Sequence, residues 1–161
     1  MLIGLCVAAL SIALDQLSKH WLIGLLDGSG FASIQVTGFF NLVMVWNHGV
    51  SFGMLSEPGT NVRYFLMAVA FVIVGVMGFW LHSCTSRLVS VAIGLVIGGA
   101  IGNVIDRIRF GAVADFLDFH LFEYHWPAFN VADASIFCGV ALLLWDGILH
   151  RPPTKSKSLN S

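Results

Sequence analysis

The sequence predicts an all-α membrane bundle of four transmembrane helices with a small β segment on one face. Of its 161 residues, 57% are hydrophobic and only 11% are charged, and the mean hydropathy is +0.85, far too apolar for an ordinary soluble domain. Two uncharged runs, Tyr64–Leu81 and Leu88–Ile105, are close to the roughly 20 residues that cross a hydrocarbon core of about 30 Å. Polarity is gathered as well: "GNVIDRIRFGAVADFLDF", residues 102–119, holds five of the seventeen charges.

The first span is expected over 2–21, where an apolar run continues through "DQLSKH" into "WLIGLL" and carries Asp15 inside it. A cleavable secretory peptide fits this run poorly, because "MLIGLC" has no basic n-region and "DQLSKH" is no small-residue cleavage site. The connection from Leu25 to Asn61 is too long for a turn, and within it "FASIQVTGFFNLVMVW" is rich in Phe, Val, Ile and Thr. It reads as two short strands on the membrane surface. Further spans are expected over 62–81, 88–106 and 129–149, the last with Trp145 at interfacial depth. Residues 1–151 then form one integral membrane domain, and 152–161 a polar cytoplasmic tail expected to be disordered.

Four spans bring both termini to one side. Arg87, Arg151, Lys155 and Lys157 lie there, against Lys19, Arg63, Arg107 and Arg109 on the other, so the positive-inside rule is evenly balanced. The second set lies among eight acids that can hold it in place, whereas the tail's bases are in a plain terminus. The termini are therefore read as cytoplasmic, and the opposite face, with almost every unusual residue, as the functional one.

Ionisable groups within or at the edge of a membrane are costly and are functional candidates by default. Asp15 has Lys19 four residues on along the same helix face, so an anchoring ion pair and a functional role are equally open. Asn103 and Arg107 share a face at the outward end of the third span, and Asp106 reads as an interfacial partner of Arg107 or Arg109. Asn130 and Asp133 open the fourth span, where capping is the bland account. Because the third span runs outward and the fourth returns, Asp115 and Asp133 come back to the same membrane face.

Two carboxylates meeting at about 4 Å repel by roughly 4 kcal/mol at an effective dielectric near 20, or about three pKa units. One of them would keep its proton, as in an aspartic protease, although paired acids also serve as ion or proton sites. A small ion or proton transporter using Asp15, Asp115 and Asp133 is thus the rival reading. Asp118, His120, Glu123 and His125 lack the spacing of a zinc site, Cys6, Cys84 and Cys138 have no C-x-x-C spacing and read as packed small apolar residues, and nothing suggests nucleic-acid binding.

Taken together, "DQLSK", "NHGVSFG", "GGAIGNVIDRIRFGAVADF" and "WPAFNVADASI" resemble, in order and spacing, the lipoprotein signal peptidase (signal peptidase II) family over nearly the whole chain. The resemblance implies a four-helix enzyme of the bacterial inner membrane, with an extracytoplasmic β cradle and a short surface helix. It implies an aspartic endopeptidase sensitive to globomycin that cuts before the lipidated cysteine of diacylglyceryl-modified prolipoproteins. Membrane lipid is the other expected partner, the chain is expected to act as a monomer, and no metal or organic cofactor is implied. Carried over by position, the catalytic pair is Asp115 and Asp133. Asp15, Asn47, Asn103, Arg107 and Asn130 support it: Asn47, Asn103 and Arg107 hold the substrate backbone, and Asn130 positions the pair. Members commonly begin with a few basic residues, whereas this chain starts at "MLIGLC".

Overall fold

The structure is a computed structural model that describes residues 1–29, 33–49 and 60–149. Four helices, α1 (Leu2–Ser29), α2 (Thr60–Ser83), α3 (Arg87–Phe110) and α4 (Val131–Leu149), are each long and apolar enough to cross a membrane. Four strands, β1 (Ser33–Thr37), β2 (Phe40–Asn47), β3 (Val113–Leu121) and β4 (Tyr124–His125), form one antiparallel sheet in the order β1-β2-β3-β4. The chain is therefore a multi-pass membrane protein whose sheet lies at one end of the bundle.

Helix α3 is the hub, mostly buried and packed against α1, α2 and α4. Apolar residues cannot be drawn together by water inside lipid, so helices there approach through small residues. Gly94 faces the Gly4 carbonyl of α1, Gly99 faces the Ala132 carbonyl of α4, and a Cβ on Gly98 would lie 2.6 Å from the Cβ of Ser11. Polar contacts join the same seam: the Ser11 hydroxyl donates to Ser135 Oγ at 2.8 Å, linking α1 to α4. Among the described elements, helix α2 packs mainly on α3, and it turns most of its surface outward.

Both ends of α3 are fixed locally. Ser86 caps its start, accepting the Val89 N–H at 3.3 Å. Gly111 ends it in the left-handed region, at φ 81°, with its N–H on the Arg107 carbonyl at 3.2 Å. That turn sends the chain straight into β3.

The structure differs from the sequence reading at several points. Helix α1 runs to Ser29, eight residues past 21, because "WLIGLL" continues the apolar run and Lys19 is neutralised inside the bundle. The two strands expected before the second span are present, and β3 and β4 join them from beyond the third. Cys6 and Cys138 face outward instead of packing inside, and all three cysteines are free. No short surface helix stands among the described residues. Part of "NHGVSFG", from residue 50, lies outside them, as does the tail 152–161.

Candidate active site

Asp115 is on β3, opposite Val45 of β2, in a sheet that has its back against α3. It is 2% exposed, and its carboxylate accepts from Asn47 Nδ2 at 3.0 Å and from Asn130 Nδ2 at 2.6 Å. Asp133 is in the first turn of α4. Asn130 precedes that helix and forms a reciprocal cap with it: the Asp133 N–H donates to Asn130 Oδ1 at 2.9 Å, and the Asn130 N–H donates to Asp133 Oδ2 at 3.3 Å. Asn103 of α3 donates its amide N–H to Asp133 Oδ1 at 2.8 Å. Its own oxygen accepts from Asn130 Nδ2 at 3.3 Å.

Two carboxylates from different elements are thus joined through two asparagines, both of which present NH₂ groups to them. Burial pushes the Asp115 carboxyl up to about 6, and the nearby Asp133 charge pushes the same way, while the bonds from Asn47 and Asn130 oppose the rise. Arg107 sits close behind, donating to the Asn103 carbonyl at 3.3 Å, near enough to Asp115 and Asp133 to feel both charges.

Behind the pair lies a buried polar cluster. Lys19 Nζ contacts Asp15 Oδ2 at 2.8 Å and Asp106 Oδ2 at 2.7 Å, with all three residues essentially inaccessible. Asp15 Oδ1 accepts the Ala132 N–H at 2.9 Å, so a carboxylate from α1 caps the first turn of α4. Asp106 accepts from Gln16 at 2.9 Å and from the Ala114 N–H at 3.2 Å, which pins β3 one residue before Asp115. Gly102 makes the room, since a Cβ there would fall 2.6 Å from Asp15 Oδ2.

In front of the pair is a cavity of about 520 Å³, where Asn47, Asp115 and Asp133 face Tyr124, Trp126 and Phe129. A second, almost wholly apolar hollow of about 370 Å³ shares Trp126, Phe129 and Asp133 with it and continues along α4 past Phe137 and Cys138. The arrangement can receive an extended chain at the carboxylates and an apolar group alongside it.

All seven residues singled out from the sequence gather at this end of the bundle. Asn103, 8% exposed, has its side chain engaged by Asp133, Asn130 and Lys19. Asp106 is buried on Lys19 and Gln16, not paired with Arg107 or Arg109. Sequence reasoning missed Gln16 and the aromatic wall. The i,i+4 step from Asp15 to Lys19 was a usable signal for the cluster, and the Trp126–Pro127 step before α4 a weak one for the wall. Asp118 is held below the usual carboxylate range: burial works against this, but His125, at 2.9 Å, and Asn41 outweigh it. Among the described residues, no group of three His, Cys, Asp or Glu is arranged to hold a metal ion.

A polytopic membrane peptidase is the class that this bundle, sheet and carboxylate-lined cavity define, and comparison with known proteins agrees. The chain belongs to the signal peptidase (SPase) II family, whose profile matches residues 7–149. A lipoprotein signal peptidase from Rhodopseudomonas palustris is 37% identical over 158 residues, covering 96% of both chains. One from Aeromonas hydrophila is 45% identical over 145 residues, covering 89% of this chain and 86% of its own. A bacterial membrane enzyme solved by the in meso method at 2.3 Å superposes with a TM-score of 0.75 at 27% identity, covering 96% of this chain and 94% of the other.

Proposed function

We propose that this protein hydrolyses one peptide bond in lipoprotein precursors, releasing the signal peptide, and that Asp115 and Asp133 perform the hydrolysis as an aspartic dyad. The observation that carries the reading is the hydrogen-bonded unit Asp115–Asn130–Asp133, braced by Asn103, whose two carboxylates line a cavity they share with Tyr124, Trp126 and Phe129.

With a proton shared between the pair, the ionised carboxylate takes a proton from a water and the protonated one polarises the scissile carbonyl. The water oxygen adds to the carbonyl carbon, and the tetrahedral intermediate collapses with C–N cleavage as the carboxyl that took the water's proton passes it to the leaving amine. Asp115, pushed up to about 6, changes protonation close to neutral pH, where a proton is both taken and returned readily. Asn47, on the cavity wall, and Arg107, close behind the pair, hold the substrate backbone. Asn103 and Asn130 orient the carboxylates, and Asp15 fixes the start of α4.

The substrate class follows from the family and from the hollow along α4. Its apolar walls suit the diacylglyceryl group of a lipid-modified cysteine, and the signal helix lies alongside the spans in the bilayer. In this reading the protein is a monomer in the bacterial inner membrane, with both termini cytoplasmic and the sheet end outward. Purified protein given lipidated and unlipidated precursor in parallel is expected to cleave the lipidated form faster by at least about tenfold, the equivalent of about 1.4 kcal/mol. Equal rates on the two precursors would remove the lipid from recognition.

A further inference from the structure

Lys19 is an odd residue to bury at a membrane depth where a lone ammonium is very costly. It is 2% exposed, and its three N–H donors meet three acceptors: Asp15 Oδ2 at 2.8 Å, Asp106 Oδ2 at 2.7 Å and Asn103 Oδ1 at 3.3 Å. The first two contacts are structural ion pairs with two carboxylates. The third reaches the brace of the dyad.

A lysine ammonium can only donate, whereas an asparagine amide can present either its oxygen or its NH₂. Asn103 therefore has to turn its oxygen towards Lys19, and its NH₂ is left facing Asp133, on which it donates at 2.8 Å. Asn130 supplies a second, uncharged donor to the same oxygen at 3.3 Å, and its own orientation is set separately by the Asp133 N–H. The charge also reaches the pair directly, since Lys19 pulls the Asp115 carboxyl down against its burial.

We propose that Lys19 is a positioning residue for the reaction, locking the Asn103 amide so that it donates to Asp133 and lending its charge to the ionised form of the pair. This rests on the dyad reading above. The groups facing Lys19 are Asp15 and Gln16 on its own helix, Asp106 and Asn103 on α3 and, at longer range, Asp115 on β3, with His20 and Arg109 beside the same small hollow. None of the others is a cation placed to replace it against Asn103.

The test removes the charge together with one of its two acids, so the cluster keeps its wild-type net charge and Asp15 keeps the Ala132 and Gln16 N–H donors. In the full-length protein carrying Asp106→Asn, Lys19→Met and Lys19→Gln are compared with Asp106→Asn alone for thermal unfolding, kcat, KM and the pH dependence of kcat. Lys19→Met is expected to lower kcat by about 10- to 100-fold at unchanged KM, the worth of one hydrogen bond to a charged group. It is also expected to move the pH profile upwards, because the ionised pair loses a favourable charge. Lys19→Gln restores a donor without a charge, so part of the kcat should return while the profile stays shifted.

A folded Lys19→Met variant with the kcat and profile of its reference overturns the proposal. So does a loss of kcat that tracks the melting temperature equally in both variants with no shift in profile, since that is a purely structural role. Should Lys19→Met fail to fold, the profile of Lys19→Gln decides alone, with an unshifted curve counting against the proposal. Failure of the dyad reading shows separately, as turnover by Asp115→Asn.

Discussion

Replacing Asp115 by Asn should make the protein more stable at neutral pH relative to the wild type than it is in acid. Burial chiefly, with the Asp133 charge, moves the Asp115 carboxyl from an ordinary 3.8 to about 6 in the folded protein. A group whose folded pKa is raised gives its full stabilisation below its unfolded pKa and loses it as pH rises through the folded value. The window is therefore about pH 4 to 6, and the loss amounts to about 3 kcal/mol for a side chain only 2% exposed. Asparagine does not ionise and escapes this loss. Its Oδ1 can still accept from Asn130, but its NH₂ would then face Asn47 Nδ2, at a cost of about 1 kcal/mol that does not vary with pH. Thermal unfolding in detergent micelles, followed by tryptophan fluorescence from pH 4 to 7.5, measures the difference. The melting temperature of the variant minus that of the wild type should climb by about 6–12 °C across the range, at about 2–4 °C per kcal/mol. A difference that stays flat with pH would refute the burial and repulsion assigned to Asp115.

Asn47→Ala removes a donor that favours the ionised Asp115, so the pH dependence of kcat/KM should move to higher pH, and an unmoved profile would separate Asn47 from the pair. Gly102→Ala places a methyl 2.6 Å from Asp15 Oδ2 and should cost about 1–3 kcal/mol in unfolding measurements. Gly75→Ala on α2, with nothing within 4 Å of the added methyl, should be neutral or gain about 0.5–1 kcal/mol.

Local pattern carried much of this architecture. Uncharged runs of eighteen residues announce a span by length alone, and helical spacing put Asn103 with Arg107 and Asp15 with Lys19. Strand β3 was not legible, because Asp115 is placed by pairing with Val45, a partner seventy positions away that no local periodicity encodes. Asp106 was misplaced for a related reason. Its neighbours in sequence are Arg107 and Arg109, but the close approach of α1 and α3 through Gly98 and Gly102 buries it on Lys19 and Gln16. The aromatic wall was equally hidden, since Tyr124 and Trp126 lie outside the expected spans and strands, and only the fold returns them to face the carboxylates. The expectation that Asp115 and Asp133 come to one face rested on span direction alone, and the two acids share Asn130 there.

The most direct test compares cleavage of a lipidated precursor by purified wild type, Asp115→Asn and Asp133→Asn, with thermal unfolding run on the same samples. Each variant should unfold cooperatively like the wild type and release signal peptide at least about 10³-fold more slowly, a loss of about 4 kcal/mol in transition-state stabilisation. Turnover within about tenfold of the wild type by either folded variant would contradict the dyad.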